Sequence, residues 1–163
     1  MRVLGIDPGY ERMGVAVVER VNGKDRVLFS SCVRTSPKEP HEKRLQKIAE
    51  EILGVIKNHR PSVLAIERLF LATNHKTAMR VAEARGVILS EAAQAGLRTF
   101  EYTPLQVKVA VTGYGRSDKR QVAKMVRVLT VLTKKKMLDD EYDAIAIALT
   151  CLAGESRSIE HRT

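Results

Sequence analysis

The hydrophobic and polar positions of the chain change period several times, and each change predicts a different element. Residues 2–7 and 13–20 are short apolar runs joined by a tight Asp-Pro-Gly turn, and they predict two strands. An Asn-Gly-Lys-Asp break at residues 22–25 predicts a hairpin turn into a third strand over about 26–34. The N-terminal part of the chain is therefore expected to form a three-stranded meander.

Helical spacing then replaces the strand pattern. Leucine and isoleucine recur at intervals of three and four between residues 45 and 56, which predicts an amphipathic helix over 41–58. A continuous apolar run at 62–66 predicts a strand that is covered on both faces. The segments that follow are predicted as a long helix over 75–95, a fifth strand over 97–102 and a short helix over 104–111.

The C-terminal part of the chain is predicted to be helical. Asp118 is placed to cap a helix that runs through about residue 132. The segment from Asp140 to about Leu152 is almost wholly apolar after Asp143, so it predicts a buried helix. Residues 155–163 are predicted to form a polar C-terminal tail.

The order of these elements defines the fold class. Three meandering strands precede two strands that return through helices, which predicts an α/β protein with a mixed five-stranded sheet and helices on both faces. The chain has 163 residues, and neither a linker nor a repeat divides it. We therefore expect a single domain over residues 1–154, followed by the tail.

The charge of the chain indicates its class of partner. Lysine and arginine number 28 against 19 aspartate and glutamate residues, so the formal net charge is +9. This excess favours nucleic acid over an anionic membrane, because no basic amphipathic anchor stands out. No stretch approaches the ~20 apolar residues of a membrane span. Cys32 and Cys151 lie far apart without a C-x-x-C pair, which is typical of reduced thiols in a cytoplasmic protein.

Four acids lie where a basic α/β domain has no structural need for them. Asp7 and Glu67 each end an apolar strand, and Asp140 and Asp143 are three positions apart on one face of the last helix. Carboxylates gathered at such places repel one another unless cations neutralise them. Hard divalent ions prefer oxygen ligands, so these four residues are candidate metal ligands of an enzyme that cuts nucleic acid.

Each acid also has a simpler structural interpretation. Asp7 could serve only as a turn residue before Pro-Gly, and Glu67 could form an ion pair with Arg68 or Arg85. Asp140 could be only the N-cap of the last helix, a role that stabilises a helix by roughly 1 kcal/mol.

Several motifs resemble a known family. Residues 4–9 (LGIDPG) resemble the first motif of the RuvC family of Holliday-junction resolvases, and residues 65–70 (AIERLF) resemble the second. Residues 84–86 (ARG) are similar to a segment of the helix that follows that motif. Residues 140–148 (DEYDAIAIA) resemble the C-terminal D-x-x-D-A-x-A-I-A motif. Order and spacing agree from residue 3 to about 152.

The resemblance implies a ribonuclease-H-like fold, a homodimer, and paired symmetrical nicks in strands of like polarity across a four-way DNA junction. It implies Mg²⁺ dependence, and the chemistry of phosphodiester hydrolysis leads us to expect two Mg²⁺ ions per active site, for which Mn²⁺ can substitute. It places the catalytic carboxylates on the four acids named above. Asp139 shares a helix face with Asp143 and remains an alternative to Asp140. The expected partners are the RuvA and RuvB branch-migration proteins.

The resemblance also implies DNA contacts. It suggests that Phe70 stacks on junction DNA and that Lys108 and Lys119 lie near the cleaved strand. Phe70 could instead belong to the core, and each lysine could be solvated surface. Lys119 begins a predicted helix, where the helix dipole disfavours a cation, and this mildly supports an external anion.

Other functions share part of this pattern. An RNA–DNA hybrid nuclease of the same fold would use the same carboxylates, and a junction-binding protein without catalysis would use the same basic residues. An ATPase of the related actin-like fold would need a second glycine-rich phosphate loop, and none lies near Glu67 or Asp140.

Overall fold

The computed structural model describes residues 1–69, 75–132, 134 and 136–160, and the side chains of 75, 76 and 155–160 lie outside this description. The strands are β1 Arg2–Asp7, β2 Arg12–Val21, β3 Lys24–Arg34, β4 Val63–Glu67, β5 Arg98–Tyr102 and β6 Thr130–Val131. The helices are α1 His41–His59, α2 His75–Gln94, α3 Pro104–Thr112, α4 Lys119–Leu129 and α5 Asp139–Glu160.

The strands form one mixed sheet in the order β5-β4-β1-β2-β3-β6. β1, β2 and β3 are joined as an antiparallel meander. β4 returns through α1 and pairs parallel to β1, and β5 pairs parallel to β4. β1 therefore lies in the interior of the sheet, and its carboxyl end is next to that of β4.

The alternation of side chains along β1 divides the core into two layers. Val3 belongs to the cluster that packs beneath α3, α4 and α5. Leu4 and Ile6 belong to the other cluster, beneath α1 and α2. The sheet therefore has helices on both faces, as its continuous apolar strands predict.

The sheet differs from the prediction in one respect, because it has six strands rather than five. The helix predicted through about residue 132 ends at Leu129, and the next two residues form β6, which pairs with Asp25 and Arg26 of β3. The β-branched side chains of Thr130 and Val131 favour the extended backbone of this short edge strand.

The other helix boundaries follow the sequence pattern closely, except at the end of the last helix. Asp118 caps α4 as predicted: its side chain accepts a 2.8 Å hydrogen bond from the Gln121 amide, and the Gln121 side chain accepts one from the Asp118 amide. α5 continues to Glu160, beyond the predicted end near Leu152. The division into a domain over 1–154 and a tail over 155–163 stays a prediction.

Hydropathy along the described helices bears on membrane insertion. Within the part of the chain that the structure describes, every helix is too short or too polar to be a candidate membrane span.

Candidate active site

Strand pairing places the first two acids side by side. Ile6 of β1 is in register with Ile66 of β4, so Asp7 and Glu67 follow at the adjacent carboxyl ends of two parallel strands. Side chains two or four positions apart in a strand point to the same face, so Asp7 shares a face with Val3, and Glu67 shares one with Ala65. Val3 and Ala65 both pack on the α5 side of the sheet. Both carboxylates are therefore directed to the face of the sheet that α5 covers.

Two glycines allow α5 to lie close to this face. A Cβ atom at Gly5 would overlap the carbonyl oxygen of Ala144, and one at Gly14 would overlap the carbonyl oxygen of Asp140. No larger residue at either position would allow this separation of helix and sheet. The close approach brings the first turns of α5, with Asp140 and Asp143, beside the ends of β1 and β4.

The acids border a cleft of about 300 Å³. Its described lining combines three of the acids with two lysines and an apolar wall: Asp7, Glu67, Asp143, Lys108, Lys119, Pro104, Val107, Val122 and Ile147. The structure thus brings together five of the seven predicted site residues. Asp140 lies beside this cleft, and Phe70 lies outside the described residues.

Burial and repulsion perturb the innermost carboxylate. Burial, followed by the negative charges of Asp143 and Glu67, raises the pKa of Asp7 to about 7, against the opposing effect of Lys119. Burial also raises the pKa of Glu67, with Asp143 contributing in the same direction. Neutral pH is therefore close to the titration point of Asp7, which is unusual for a carboxylate.

Asp140 has a different environment. Its carboxylate accepts a hydrogen bond from Arg12 in a short ion pair, and the thiol of Cys32 lies 3.6 Å from the same oxygen. Burial tends to raise the pKa of Asp140, but the hydrogen bond and charge of Arg12 outweigh it and lower that pKa. Asp140 is therefore an anion at neutral pH, held by a cation from the start of β2.

Asp143 is held by Lys119, one of the two lysines predicted to contact DNA. The ammonium of Lys119 donates a 3.1 Å hydrogen bond to its Oδ2. This hydrogen bond and the charge of Asp143 raise the pKa of Lys119. Lys119 is three-quarters exposed, so its ammonium can also reach solvent or a bound anion at the mouth of the cleft.

The oxygen donors of this site suit a hard divalent cation. In the part of the chain that the structure describes, no three Asp, Glu, His or Cys side chains are grouped closely enough to hold one ion together. Two of the acids are bound to Arg12 and Lys119 instead. A divalent ion beside Asp7 would offset the repulsion that raises its pKa, so the residues present fit such a group.

The structure also bears on the simpler interpretations. Among the described residues, Arg68 and Arg85 bind Glu101, at 3.6 Å and 2.7 Å, so neither forms the alternative ion pair with Glu67. Asp140 lies in the first turn of α5 and not at its cap, because the helix already includes Asp139.

The choice between Asp139 and Asp140 as a ligand stays a prediction, and the two residues differ in environment. Asp139 is exposed, whereas Asp140 is half-buried and is among the charges that raise the pKa of Asp7. This geometry favours Asp140 as the candidate ligand.

Comparison with known proteins decides the family. A model of the family described as crossover junction endodeoxyribonuclease RuvC matches residues 3–151. The chain belongs to the RuvC family. The RuvC protein of Thermosipho melanesiensis is 47% identical over 157 residues, which cover 96% of this chain and 99% of that protein. The RuvC protein of Pelotomaculum thermopropionicum is 43% identical over 149 residues and covers 91% of both chains.

Solved structures agree with the RuvC assignment. T. thermophilus RuvC in complex with a Holliday junction substrate superposes with a TM-score of 0.91 at 36% identity, covering 97% of this chain and 96% of that one. The yeast mitochondrial Holliday junction resolvase Ydc2 superposes with a TM-score of 0.74 at 14% identity, which shows the shared fold alone. The predicted ribonuclease-H-like fold and the resemblance to the RuvC family are confirmed.

Two residues next to the acids were not predicted. Arg12 neutralises Asp140, and the sequence signal for it is the hairpin, since Asp7 pairs with Gly14 and Arg12 begins the same strand. Glu141 is buried and holds the start of α5: it accepts hydrogen bonds from Ser30 at 2.7 Å and from the Leu138 amide at 2.9 Å. The capping position of Glu141, three residues after Leu138, was its sequence signal.

Proposed function

We propose that this protein is a metal-dependent endonuclease that resolves Holliday junctions by paired, symmetrical nicks in DNA strands of like polarity during recombination and repair. Family membership supports the class of reaction. The observation that carries the proposal is the partly buried Asp7 carboxylate, which lies beside Glu67 and Asp143 in a cleft that also contains two lysines, an environment that raises its pKa to about 7. A cleft that contains acids and is bordered by cations suits metal-assisted attack on a phosphodiester.

The four acids are proposed as the metal ligands and catalytic residues. Asp7 and Glu67 are fixed by the sheet, and Asp140 and Asp143 are fixed by α5, so the set combines two rigid elements. Two Mg²⁺ ions, or Mn²⁺ in their place, are the ions that best suit these oxygens. When bound, such ions activate a water molecule and stabilise the departing oxyanion.

The protein's own groups orient the substrate and manage its charge. Lys108 and Lys119 border the cleft, where their ammonium groups can pair with phosphates on either side of the scissile one. If Lys119 released Asp143, the carboxylate would be free to bind a metal ion and the ammonium would be free to bind DNA. Loss of the proton from Asp7 near neutral pH prepares its carboxylate as a ligand.

The assembly is also part of the proposal. A homodimer would present two such clefts with two-fold symmetry, as two equivalent cuts require. Phe70 follows the second motif and is proposed to stack on an unpaired base near the crossover. We further propose that the enzyme acts in the cytoplasm with the RuvA and RuvB branch-migration proteins.

The deciding experiment is incubation with Mg²⁺ and a mobile four-way junction, beside an RNA–DNA hybrid and a linear duplex of the same sequence. We expect symmetrical nicks that a ligase can reseal in the junction, and little cleavage of the other two. Preferential cleavage of the hybrid would favour the alternative nuclease, and binding of the junction without Mg²⁺-dependent cleavage would favour the non-catalytic alternative.

A further inference from the structure

A second cavity lies beside the acidic cleft. It has a volume of about 410 Å³ and is bordered by the turn after β1 and by the first half of α2, through Tyr10, Glu11, Arg12, Thr77, Arg80 and Val81. Arg12 belongs to both places, because it lines this cavity and also binds Asp140. A ligand in the cavity would therefore lie one side chain away from the proposed metal ligands.

One wall of the cavity is a buried aromatic ring, Tyr10, that contacts two guanidinium groups. Arg44 lies 3.7 Å from the centroid of the Tyr10 ring, and Arg80 lies 5.3 Å from it. The Tyr10 hydroxyl is 2.6 Å from Nδ1 of His41 and 3.4 Å from Nη1 of Arg80. Tyr10 is only 5% exposed, so the ring gives both arginines a fixed support.

The charges around the ring are not balanced by acids. Arg44 is only 2% exposed; its Nε donates to the Thr35 hydroxyl at 2.9 Å, and its Nη2 has no hydrogen-bond partner among the described residues. Within those same residues, no carboxylate lies within ion-pair distance of Arg44 or Arg80. Glu11 is the only acid among the described residues that line the cavity.

The remaining nearby charges do not restore the balance. Glu83 binds Nε2 of His41 at 2.9 Å, and Asp140 is occupied by Arg12. A buried cation without a counter-ion is costly, and an anion in the neighbouring cavity would reduce that cost. The five N–H donors of a guanidinium suit phosphate oxygens, and Arg12 and Arg80 both present theirs to this cavity.

We propose that this cavity binds a backbone phosphate of the DNA substrate, distinct from the phosphate that is cleaved, through Arg80 and Arg12. The inference rests on the proposed function and deepens it, since it assigns a second anchoring point to the same DNA. Because Arg12 also binds Asp140, phosphate binding in the cavity competes with that ion pair. DNA bound here would therefore release Asp140 to act as a metal ligand.

The test compares two exposed arginines that carry the same charge. Arg80→Ala removes a cation that lines the cavity. Arg26→Ala removes a cation that does not line it and that lies at the start of β3, where this strand pairs with β6. Junction affinity is measured by fluorescence anisotropy in EDTA, which prevents cleavage, over a series of salt concentrations. Arg80→Lys tests whether charge alone restores binding.

We expect Arg80→Ala to weaken junction binding about tenfold and to reduce the slope of log affinity against log salt by about one. Arg26→Ala should retain the wild-type slope, and Arg80→Lys should restore the slope with part of the affinity. Melting temperature and sedimentation mass should not change in any variant.

Failure of the proposed function and failure of this inference would give different results. If the wild-type protein does not bind the junction, the proposed function falls and the inference falls with it. If the wild type binds and Arg80→Ala has the same slope as Arg26→Ala, the inference alone is overturned. A changed sedimentation mass for Arg80→Ala would also overturn it, because Arg80 would then belong to a subunit interface.

Discussion

The ammonium of Lys119 donates a 3.1 Å hydrogen bond to the carboxylate of Asp143, a residue 24 positions away in the chain. The contact joins the first residue of α4 to the second turn of α5. A cation at the start of a helix opposes the helix dipole, so this placement is unfavourable for α4 itself. It is favourable for the cleft, because Lys119 offsets part of the charge of three acids.

Lys119→Ala is expected to reduce junction cleavage about 10- to 100-fold, because the variant loses a charge-assisted phosphate contact. Stability should change by less than about 1 kcal/mol, since the lysine side of the ion pair is mostly exposed. Cleavage rates with excess enzyme and urea denaturation measure the two effects. The matched control is Lys124→Ala, which removes an exposed lysine from the same helix outside the cleft; an equal loss of cleavage in both variants would contradict a specific role.

Asp7→Asn is expected to reduce Mg²⁺-dependent cleavage by more than about 10³-fold while junction binding is retained. The amide keeps the shape of the side chain but lacks the anionic charge that a metal ligand supplies. Single-turnover cleavage and anisotropy distinguish the two steps. Wild-type nicking rates in this variant would refute the metal role of Asp7.

Metal-free stability is expected to depend on pH through Asp7. Its folded-state pKa of about 7 lies above the ordinary value of 3.8, so the folded protein keeps a proton that the unfolded chain has lost. The contribution of Asp7 to stability therefore falls as pH rises from about 4 to 7, and the loss is complete above 7.

Thermal denaturation of the wild type and of Asp7→Asn in EDTA, between pH 5 and pH 8, measures this effect. We expect the melting temperature of the variant to exceed that of the wild type by a margin that grows with pH, and Mg²⁺ to narrow the margin. A margin that is the same at every pH would show that Asp7 is not perturbed in this way.

Glu141→Ala is expected to destabilise the protein by about 2–3 kcal/mol, because it leaves Ser30 and the Leu138 amide without their buried acceptor. Glu141→Gln should cost less, about 1–2 kcal/mol, since its single amide oxygen can still accept the bond from the Leu138 amide. Its NH2 group can only donate, so the bond from Ser30 and the charge that faces Lys134 are lost. Urea denaturation measures both, with the exposed Glu51→Ala as a control near zero. Equal losses in both Glu141 variants would mean that charge, and not the capping bond, is decisive.

Gly14→Ala is expected to destabilise the fold by about 1–3 kcal/mol and to reduce cleavage, because the added methyl group overlaps the Asp140 carbonyl and displaces α5. Gly54→Ala is the control, since nothing lies within 4 Å of a Cβ atom there and alanine favours the interior of α1. Gly54→Ala should raise stability by up to about 1 kcal/mol. Melting temperatures and cleavage rates of the two variants check this; an undisturbed Gly14→Ala enzyme would contradict the close approach of α5.

Local pattern predicted most of the elements. The amphipathic spacing of α1 and the cap at Asp118 depend on residues close together in the chain, so their boundaries were predictable. β6 was not, because its two residues continue a helical pattern and become a strand only through pairing with β3. Phe70 lies outside the described residues, so its role stays a prediction.

The residues of the candidate site could be predicted from the sequence, but the ion pairs between them could not. Asp7 and Glu67 could be placed together because parallel strands align their carboxyl ends. The pairing of Arg12 with Asp140 spans 128 positions and arises only when Gly14 admits α5 to the sheet. Likewise, Arg85 binds Glu101 and not Glu67, although both acids lie at similar separations from it along the chain.

The sequence by itself determined most of the elements and the family, and it predicted the four acids, because periodicity and motif spacing can be read along the chain. Tertiary structure alone decided which cation faces which acid, and how strongly each carboxylate holds its proton. The physical reason is that burial and charge–charge interactions depend on distance in space: Asp7 has a pKa of about 7 because of what packs around it, and not because of its neighbours in sequence.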